Sequence, residues 1–221
     1  MLDIYLIRHA ESEMNNNGHL IGGRSNSTPL SERGIYQANL LGKRLKHSSI
    51  TFNEVYSSTA ERTQETARTV GLHLGYSLND VIKTPDLLEL DQGDWEGKPR
   101  EQIYTQETLN LINSDNWIFT PPKGESQKDV EERMLGWLNE YVVSTYPEEK
   151  IIGIFTHGMA IKSLLRGIMD FSPNLTYKIN LDNTAITRLK YDKMGWHLIT
   201  LNDTAHLFGE EKIDSPYSLT K

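Results

Sequence analysis

The chain has 221 residues, a formal net charge of −7 and no cysteine. This length fits a single domain with a sizeable core, and the acidic balance argues against a surface for nucleic acid or anionic membrane, which needs a basic excess. The lack of cysteine excludes disulfides, thiolate metal sites and a cysteine nucleophile. Because we find no signal-peptide pattern and no apolar run of membrane-spanning length, we expect a cytoplasmic protein.

The first predicted element is a strand over residues 2–7, which are apolar at nearly every position, as in a strand buried on both faces of a sheet. Arg8 and His9 follow it directly and are expected at its carboxyl end, where open α/β sheets bind their ligands. A lone histidine after a strand is more often a packing residue than a catalyst, so His9 gains weight only from a second histidine like it.

A polar loop rich in Asn, Gly and Ser is predicted over residues 15–29, and loops of this length inside compact domains are usually functional or disordered. Ser31 is expected to cap a helix that runs to about residue 46. The face of this helix that we expect to be buried carries Ile35, Ala38, Leu41 and Leu45.

A short strand is predicted to end at Ser58, and the next helix begins near residue 59 with Arg62 in its first turn. In one interpretation Arg62 is solvated and pairs with Glu61 or Glu65. In the other, its guanidinium joins the free N–H groups of the helix amino terminus to bind a phosphate or a carboxylate.

Glu89 lies among leucines in an acidic stretch that is punctuated by glycines. Apolar neighbours favour the protonated carboxyl and would suit Glu89 to general acid catalysis, whereas the alternative is a surface carboxylate in a loop. The irregular segment 98–123 is predicted to be a small cap inserted over the site. Its aromatic residues either line a substrate pocket or, as we favour, pack the cap against the body: Tyr104, Trp117 and Phe119.

The longest helical pattern covers residues 127–146, and Pro147 is expected to end it. Its predicted inner face carries Val130, Met134, Trp137, Leu138, Tyr141 and Val142. A second buried strand over residues 150–156 ends at His157, so two apolar strands deliver imidazoles to the same edge of the sheet. A helix through residues 160–168 and an edge hairpin over residues 183–201 precede a polar tail from Gly209.

These elements predict an α/β fold, a three-layer sandwich in which a mostly parallel central sheet has helices on both faces. We expect a single domain over residues 1–221, with residues 98–123 as its cap. The carboxyl ends of the strands would gather two arginines, two imidazoles and a carboxyl group, a cluster that suits a dianion such as phosphate. The cluster consists of Arg8, His9, Arg62, Glu89 and His157.

Motifs of other chemistries are missing from the sequence. A serine hydrolase would need Gly-x-Ser-x-Gly, and the glycine spacings fit neither a P-loop nor a dinucleotide fingerprint. A metal hydrolase is harder to dismiss, but no His-x-x-x-His or His-Glu-x-x-His occurs and the neighbouring arginines disfavour a cation. We therefore expect no metal site.

Six motifs in order resemble the histidine phosphatase superfamily, the phosphoglycerate-mutase-like proteins. Any one of them is weak, but the ordered set covers almost the whole chain and is highly specific. Position 10 is Ala where the family usually has Gly, and Ser27 stands near the place of a frequent Asp. The motifs are Arg8-His9-Ala10-Glu11-Ser12 with Asn15, Pro29-Leu30-Ser31, Ser57-Ser58 with Arg62-Thr63, Glu89 with Trp95-Glu96-Gly97, Gly124-Glu125-Ser126, and Thr156-His157-Gly158.

The resemblance implies a role for each of these residues. His9 would be the nucleophile that takes the phosphoryl group on a ring nitrogen, giving a phosphohistidine. Glu89 would protonate the leaving oxygen and then activate water. No metal or organic cofactor is implied. The residues expected to bind the phosphate and the substrate are Arg8, Asn15, Arg62, His157, Gly158 and Met159.

Within this resemblance we favour a phosphomonoesterase acting on small phosphorylated metabolites over a cofactor-dependent phosphoglycerate mutase. A mutase would need extra basic residues and a closing lid, whereas segment 98–123 offers only Lys98, Arg100 and Lys123 as cations. The third alternative is a non-catalytic member that binds phosphorylated ligands, although such proteins typically lose the nucleophile or an arginine. The expected partner is a small phosphomonoester rather than nucleic acid or membrane, and a homodimer stays open.

Overall fold

The computed structural model of this chain describes residues 1–208, so the polar tail predicted from Gly209 lies outside the described residues. Within that range the strands are Leu2–Arg8 (β1), Glu54–Ser58 (β2), Val81–Thr84 (β3), Lys150–Thr156 (β4), Ile186–Asp192 (β5) and Gly195–Asp203 (β6). They form one six-stranded sheet in the order β3-β2-β4-β1-β5-β6. Strands β3, β2, β4 and β1 run parallel, while β5 is antiparallel to both β1 and β6. The predicted mostly parallel sheet and its edge hairpin are confirmed.

Helices cover both faces of this sheet. Those in the described part of the chain are Glu13–Asn16 (α1), Glu32–His47 (α2), Glu61–Leu74 (α3), Arg100–Ile103 (α4), Gln106–Ser114 (α5), Gln127–Tyr141 (α6) and Gly158–Met169 (α7). Helices α2 and α3 pack on one face with Ile7 and Phe155, and α6 and α7 pack on the other face with Ile4 and Ile154. The predicted α/β architecture is therefore confirmed.

Strand β1 lies inside the sheet and is buried on both of its faces. Leu2, Ile4 and Leu6 pack in the core beneath α6 and α7, whereas Tyr5 and Ile7 pack in the core beneath α2 and α3. Side chains alternate between the two faces of a strand, so a strand that is covered on both sides is apolar at nearly every position. The exception in β1 is Asp3, which pairs with Arg188. The apolar run ends where the cover ends, which puts the following polar residues at the edge of the sheet.

The predicted burial of one side chain on α2 is wrong. Ile35 is 48% exposed, because the buried stripe of the helix begins at Gly34 instead. Gly34 packs directly on the backbone of Glu11, and a Cβ at this position would collide with the Glu11 carbonyl oxygen. The predicted start of the helix is right, since Ser31 Oγ accepts the Gly34 N–H at 3.0 Å.

Helix α6 ends earlier than the sequence pattern predicts. Its α-helical part stops at Tyr141, and Val143–Thr145 continue as a 3₁₀ turn. The backbone reaches extended geometry at Tyr146, the residue before Pro147, as expected for that position. Tyr141, predicted to face inward, is 49% exposed and stacks on Trp137 with ring centroids 6.2 Å apart.

Segment 98–123 contains helices α4 and α5, close to the two short helical pieces predicted there. It is fastened to the loop after α1 by Arg100 Nε, which donates to the carbonyl oxygens of Gly18 at 2.9 Å and Leu20 at 3.1 Å. That loop begins two residues later than predicted, since Asn15 and Asn16 belong to α1. The assignment of the segment as a cap inserted into a single domain stays a prediction.

Candidate active site

The carboxyl ends of β1 and β4 meet at one edge of the sheet, with β2 next to β4. Arg8 at the end of β1 lies opposite Thr156 at the end of β4. The next residues, His9 and His157, therefore emerge side by side, with ring centroids 5.2 Å apart and exposures of only 4% and 0%. The prediction that two strands deliver their imidazoles to one place is confirmed.

His9 is held as a neutral imidazole with one defined tautomer. Its Nδ1 lies 2.7 Å from the Ala10 carbonyl oxygen, which can only accept, so Nδ1 carries the proton. Its Nε2 accepts a hydrogen bond from Arg62 Nε at 3.2 Å and therefore holds a lone pair. Burial, reinforced by the cations Arg62 and Arg8, holds the pKa of His9 well below its usual range. The lone pair of Nε2 is thus available at neutral pH.

His157 is fixed in the complementary way. Arg62 Nη2 donates to Nδ1 of His157 at 3.0 Å, so Nε2 carries the proton and donates to Ser58 Oγ at 2.7 Å. Burial, with the Arg62 cation adding to it, holds the pKa of His157 well below its usual range. Ser58 is fully buried and exchanges a further hydrogen bond with Thr63 Oγ1 at 2.8 Å.

Arg62 joins the two imidazoles from the first turn of α3. Besides both rings, its guanidinium binds carbonyl oxygens of the loop above it: Nη1 donates to Arg24 at 2.8 Å and Ser25 at 3.0 Å, and Nη2 to Gly23 at 3.4 Å. The side chain is 3% exposed, and burial lowers its pKa to about 10. The alternative of a solvated arginine paired with a neighbouring glutamate is therefore wrong.

The loop that supplies these carbonyl groups is held by acidic residues. Glu96 accepts the backbone N–H of Arg24 at 2.6 Å, and the Arg24 side chain pairs with Asp91 at 3.2 Å and Glu125 at 2.9 Å. Gly23 has a φ of 57°, and a Cβ at this position would collide with the Glu96 carboxylate. These contacts fix the loop over Arg62.

Arg8 lies beside the first turn of α7. Its Nη1 donates to the Leu181 carbonyl oxygen, and a Cβ on Gly158 would lie 3.5 Å from Arg8 Nε. Two of the predicted phosphate-binding residues, Arg8 and Gly158, are therefore neighbours at the same edge of the sheet as His9.

Glu89 caps the amino terminus of α7. Its carboxylate oxygens accept the backbone N–H groups of Leu90 at 2.9 Å, Met159 at 3.1 Å and Ala160 at 3.1 Å. The neighbouring leucines are buried, so the apolar neighbourhood is confirmed, but the carboxylate oxygens themselves contact backbone N–H donors rather than apolar side chains. Glu89 nevertheless stands within electrostatic range of Arg62. Met159, predicted to bind substrate, gives its N–H to Glu89.

Asn15 reaches the site through another asparagine. Its Oδ1 accepts the backbone N–H of Ser12 at 3.0 Å and lies 3.4 Å from Nδ2 of Asn183. Asn183 Nδ2 also donates to the His9 carbonyl oxygen at 3.0 Å. The oxygen of Asn15 is thus used to hold the backbone around His9, and its role as a phosphate donor stays a prediction.

Sequence reasoning missed the residues that orient the catalytic candidates. Ser58 occurred in the motifs without a role, and no role was assigned to Thr66 or to Asn183. Thr66 Oγ1 accepts the backbone N–H of Ala10 at 3.0 Å, next to His9. The sequence marks these residues only by a run of serines and threonines around Arg62. Such a run does not show which groups their hydroxyls bind.

The packing explains how Ala10 fits and what the aromatic residues of the cap contact. Ala10 is buried and is not among the residues with positive φ, so its methyl group fits where the family usually has Gly. The aromatic residues of the cap contact other side chains, in agreement with the favoured packing role. Trp95 lies 6.1 Å from Tyr104 and 5.6 Å from Phe119 between ring centroids, and the Arg166 guanidinium lies 4.0 Å over Trp117.

Residues 1–208 contain neither a metal-binding cluster nor a membrane span. No group of three or more His, Asp and Glu side chains in this range is placed to hold a metal ion, and no helix in it is long and apolar enough to cross a membrane. The expectation that the protein needs no metal or organic cofactor stays a prediction.

Known proteins share both this sequence pattern and this fold. Residues 4–204 match the histidine phosphatase superfamily (branch 1). The chain is 30% identical over 215 residues to a probable phosphoglycerate mutase of Yersinia pestis, covering 94% of this chain and 95% of the relative. It resembles phosphoserine phosphatase from Entamoeba histolytica in complex with 3-phosphoglyceric acid, with a TM-score of 0.80, 26% identity and coverage of 94% and 100%. It also resembles the YhfR protein of Bacillus stearothermophilus, with a TM-score of 0.81, 28% identity and the same coverage.

The family match spans nearly every described element, from β1 to the end of β6. It includes both histidines, both arginines and the glutamate of the site. By sequence and by fold, this chain belongs to the histidine phosphatase superfamily.

Proposed function

We propose that the protein is a phosphomonoesterase that hydrolyses small phosphorylated metabolites through a phosphohistidine on His9. The observation that carries this proposal is the state of His9. Its proton is tied to Ala10 at Nδ1, and its Nε2 lone pair faces the guanidinium of Arg62. A neutral imidazole beside buried cations is a nucleophile next to an anion receptor.

In the first step, Nε2 of His9 attacks phosphorus, a phosphorus–nitrogen bond forms and the ester phosphorus–oxygen bond breaks. The lone pair must first leave Arg62 Nε, so the phosphate of the substrate displaces this hydrogen bond and takes over donors of Arg62. Arg8 completes the phosphate pocket. His157 holds Arg62 in place beside it, because its Nδ1 accepts from Arg62 Nη2 and its Nε2–H is committed to Ser58 Oγ. Glu89 gives its proton to the leaving oxygen.

In the second step, Glu89 removes a proton from water and the resulting oxygen attacks phosphorus. The phosphorus–nitrogen bond breaks, inorganic phosphate leaves, and His9 regains its lone pair. Arginine side chains supply the positive charge that stabilises both transition states, so neither step of the proposed reaction requires a metal or an organic cofactor.

The similarity to a phosphoserine phosphatase in complex with 3-phosphoglyceric acid supports a small phosphorylated metabolite as the substrate class. The comparison with that phosphatase is meaningful because the two chains share the fold and are 26% identical over 94% of this chain. The non-catalytic alternative is less well supported, because the proposed nucleophile and both arginines are present and already oriented.

A phosphoglycerate mutase is the second candidate, because the 30% identical relative carries that name. Two of the three cations of segment 98–123 are engaged elsewhere, which argues against a mutase. Arg100 is engaged with backbone carbonyl oxygens, and Lys123 pairs with Asp94 at 3.1 Å, so neither is positioned to hold an intermediate with two acidic groups.

The two functions are separated by incubating the protein with 3-phosphoglycerate and following both inorganic phosphate and 2-phosphoglycerate. We expect phosphate release to exceed isomer formation, and we expect His9→Ala to abolish it. His47→Ala, a change of an exposed histidine on α2, is the matched control and keeps the activity. Formation of 2-phosphoglycerate that outpaces phosphate release would contradict the proposal.

A further inference from the structure

Glu89 stands in a segment that no regular element holds in place. Residues 88–92, all within the described part of the chain, belong to no helix or strand. The polar groups of such a backbone must find partners in other segments of the chain. Proton transfer needs the two heavy atoms about 2.6–3.2 Å apart. The contacts that hold this segment therefore decide how well Glu89 can act as an acid.

An arginine of α6 holds the backbone on the amino-terminal side of Glu89. Arg133 Nη1 donates to the carbonyl oxygen of Asp86 at 2.6 Å and to that of Leu88 at 3.1 Å. Hydrogen bonds from a charged donor are stronger than those between neutral groups. Because one nitrogen atom binds both carbonyl groups, the chain that leads into Glu89 cannot shift without losing at least one of these bonds.

Glu125 holds the backbone on the other side of Glu89. Its Oε2 accepts the backbone N–H of Asp91 at 3.2 Å, and its own N–H donates to the Asp91 carbonyl oxygen at 2.9 Å. The same carboxylate accepts from Arg133 Nε at 3.2 Å and from Nη2 at 3.0 Å. Arg133 and Glu125 thus form one ion pair that binds the chain on both sides of Glu89. With side-chain exposures of 15% and 19%, this pair is screened less than a surface pair.

The two members of this pair differ in what else they hold. Glu125 also pairs with Arg24 at 2.9 Å, and Arg24 belongs to the loop over Arg62. In the described part of the chain, the hydrogen bonds of Arg133 go to Glu125 and to the segment that carries Glu89. A change of Glu125 would disturb both loops, whereas a change of Arg133 disturbs the segment of the acid first.

We propose that Arg133 is a positioning residue for Glu89. It does not touch the substrate, but it holds the backbone so that the Glu89 carboxyl group meets the leaving oxygen. There the proton passes from Glu89 to that oxygen as the phosphorus–oxygen bond breaks. This inference rests on the proposed phosphatase function and adds the residue that makes its acid effective. A displacement of about 1 Å can cost as much as 100-fold in rate, so this support matters.

The test compares glycerol 3-phosphate with p-nitrophenyl phosphate. The alkoxide of the first needs a proton to leave, whereas the nitrophenolate of the second does not. The measured quantity is the ratio of their kcat/KM values, alkyl over aryl. We expect Arg133→Met to lower this ratio about tenfold, which is part of the roughly 100-fold or more that a positioned acid contributes. The fall should appear mainly in kcat, because Arg8 and Arg62 still bind the phosphate.

Two further comparisons separate positioning from simple structural support. In a Glu89→Gln background the acid is already lost, so adding Arg133→Met should leave the ratio unchanged. Arg188→Met is the matched control, because Arg188 forms a similar two-bond ion pair with Asp3 near the start of β1, whereas the site lies at the other end of this strand. We expect this control to lose stability and keep the ratio.

An equal loss of kcat/KM with both substrates in Arg133→Met would show a structural role and overturn the inference, as would a further fall of the ratio in the Glu89→Gln background. Should Arg133→Met fail to fold, Arg133→Lys provides the same comparison, because an ammonium group cannot reproduce the guanidinium fork. If the unchanged protein releases no phosphate from p-nitrophenyl phosphate, or if Glu89→Gln keeps the ratio, the proposed function or its acid fails and this inference with it. If Glu89→Gln lowers the ratio and Arg133→Met does not, only this inference fails.

Discussion

Replacing Ser58 by alanine tests how the site holds His157. Ser58 Oγ accepts the Nε2–H of His157 at 2.7 Å and the backbone N–H of Ala60 at 3.2 Å, and the side chain is out of reach of solvent. Alanine removes this acceptor from both donors. Thr63 loses less, because its Oγ1 still donates to the Ala60 carbonyl oxygen at 2.7 Å.

The size of the effect follows from these contacts. A buried donor left without a partner costs about 1–3 kcal/mol, so we expect the free energy of unfolding to fall by about 2 kcal/mol. Without Ser58 Oγ, nothing favours the His157 tautomer that carries its proton on Nε2. The other tautomer carries the proton on Nδ1 and cannot accept the hydrogen bond from Arg62 Nη2. A loss of 1.4–2.8 kcal/mol of transition-state stabilisation corresponds to about a 10- to 100-fold fall in kcat/KM.

The assay is p-nitrophenyl phosphate hydrolysis, with urea unfolding measured on the same preparations. Ser57→Ala is the matched control, because Ser57 Oγ is also buried but donates only to the Ser58 carbonyl oxygen at 2.9 Å. We expect this control to lose stability and keep kcat/KM. Full activity in Ser58→Ala, or an equal loss of activity in both variants, would refute the reasoning about the tautomer.

Three further predictions concern charge and proton transfer. Arg62→Lys keeps the charge but loses the guanidinium fork, so we expect a fall in kcat/KM of about 100-fold, and activity close to normal would contradict the role of the fork. Glu89→Gln should slow hydrolysis of an alkyl phosphate more than that of p-nitrophenyl phosphate, whose leaving group departs without a proton; equal effects on the two substrates would count against Glu89 as the acid. Because the pKa values of His9 and His157 are lowered in the fold, the unfolded chain binds protons that the folded chain does not. Urea unfolding should therefore show stability lost as pH falls below about 6.5, by about 1.4 kcal/mol per pH unit for each histidine, whereas a flat profile would show that these rings can be protonated in place.

The framework of the site could be predicted from local sequence. The strand before His9 and the strand before His157 are apolar at nearly every position because helices cover both of their faces, and each apolar run stops where the helices end. Parallel neighbours end at the same edge, so the meeting of the two histidines follows from pattern alone. The position of Arg62 in a first helical turn was also predictable from local pattern, because a helix follows directly on the short strand that ends at Ser58.

The partners of these residues could not be predicted, because they are set by tertiary contacts between distant segments. Arg62 binds carbonyl oxygens about forty residues away, and the loop that carries them is shaped by Glu96, which no local pattern connects to it. Glu89 was assigned for its apolar neighbours, but its carboxylate is held by backbone N–H groups of α7, seventy residues further along the chain. The error at Ile35 has a similar origin, since Gly34 is buried by contact with Glu11 rather than by its hydrophobicity.

The most direct test of the central claim is to find the residue that carries the phosphoryl group during turnover. The protein is mixed with p-nitrophenyl phosphate, quenched at alkaline pH to preserve phosphorus–nitrogen bonds, and mapped by peptide mass spectrometry. We predict one phosphoryl group on His9, absent in His9→Ala and retained in His47→Ala. A phosphoryl group on His157 or on any other residue, or undiminished turnover by His9→Ala, would contradict the assignment of His9 as the nucleophile.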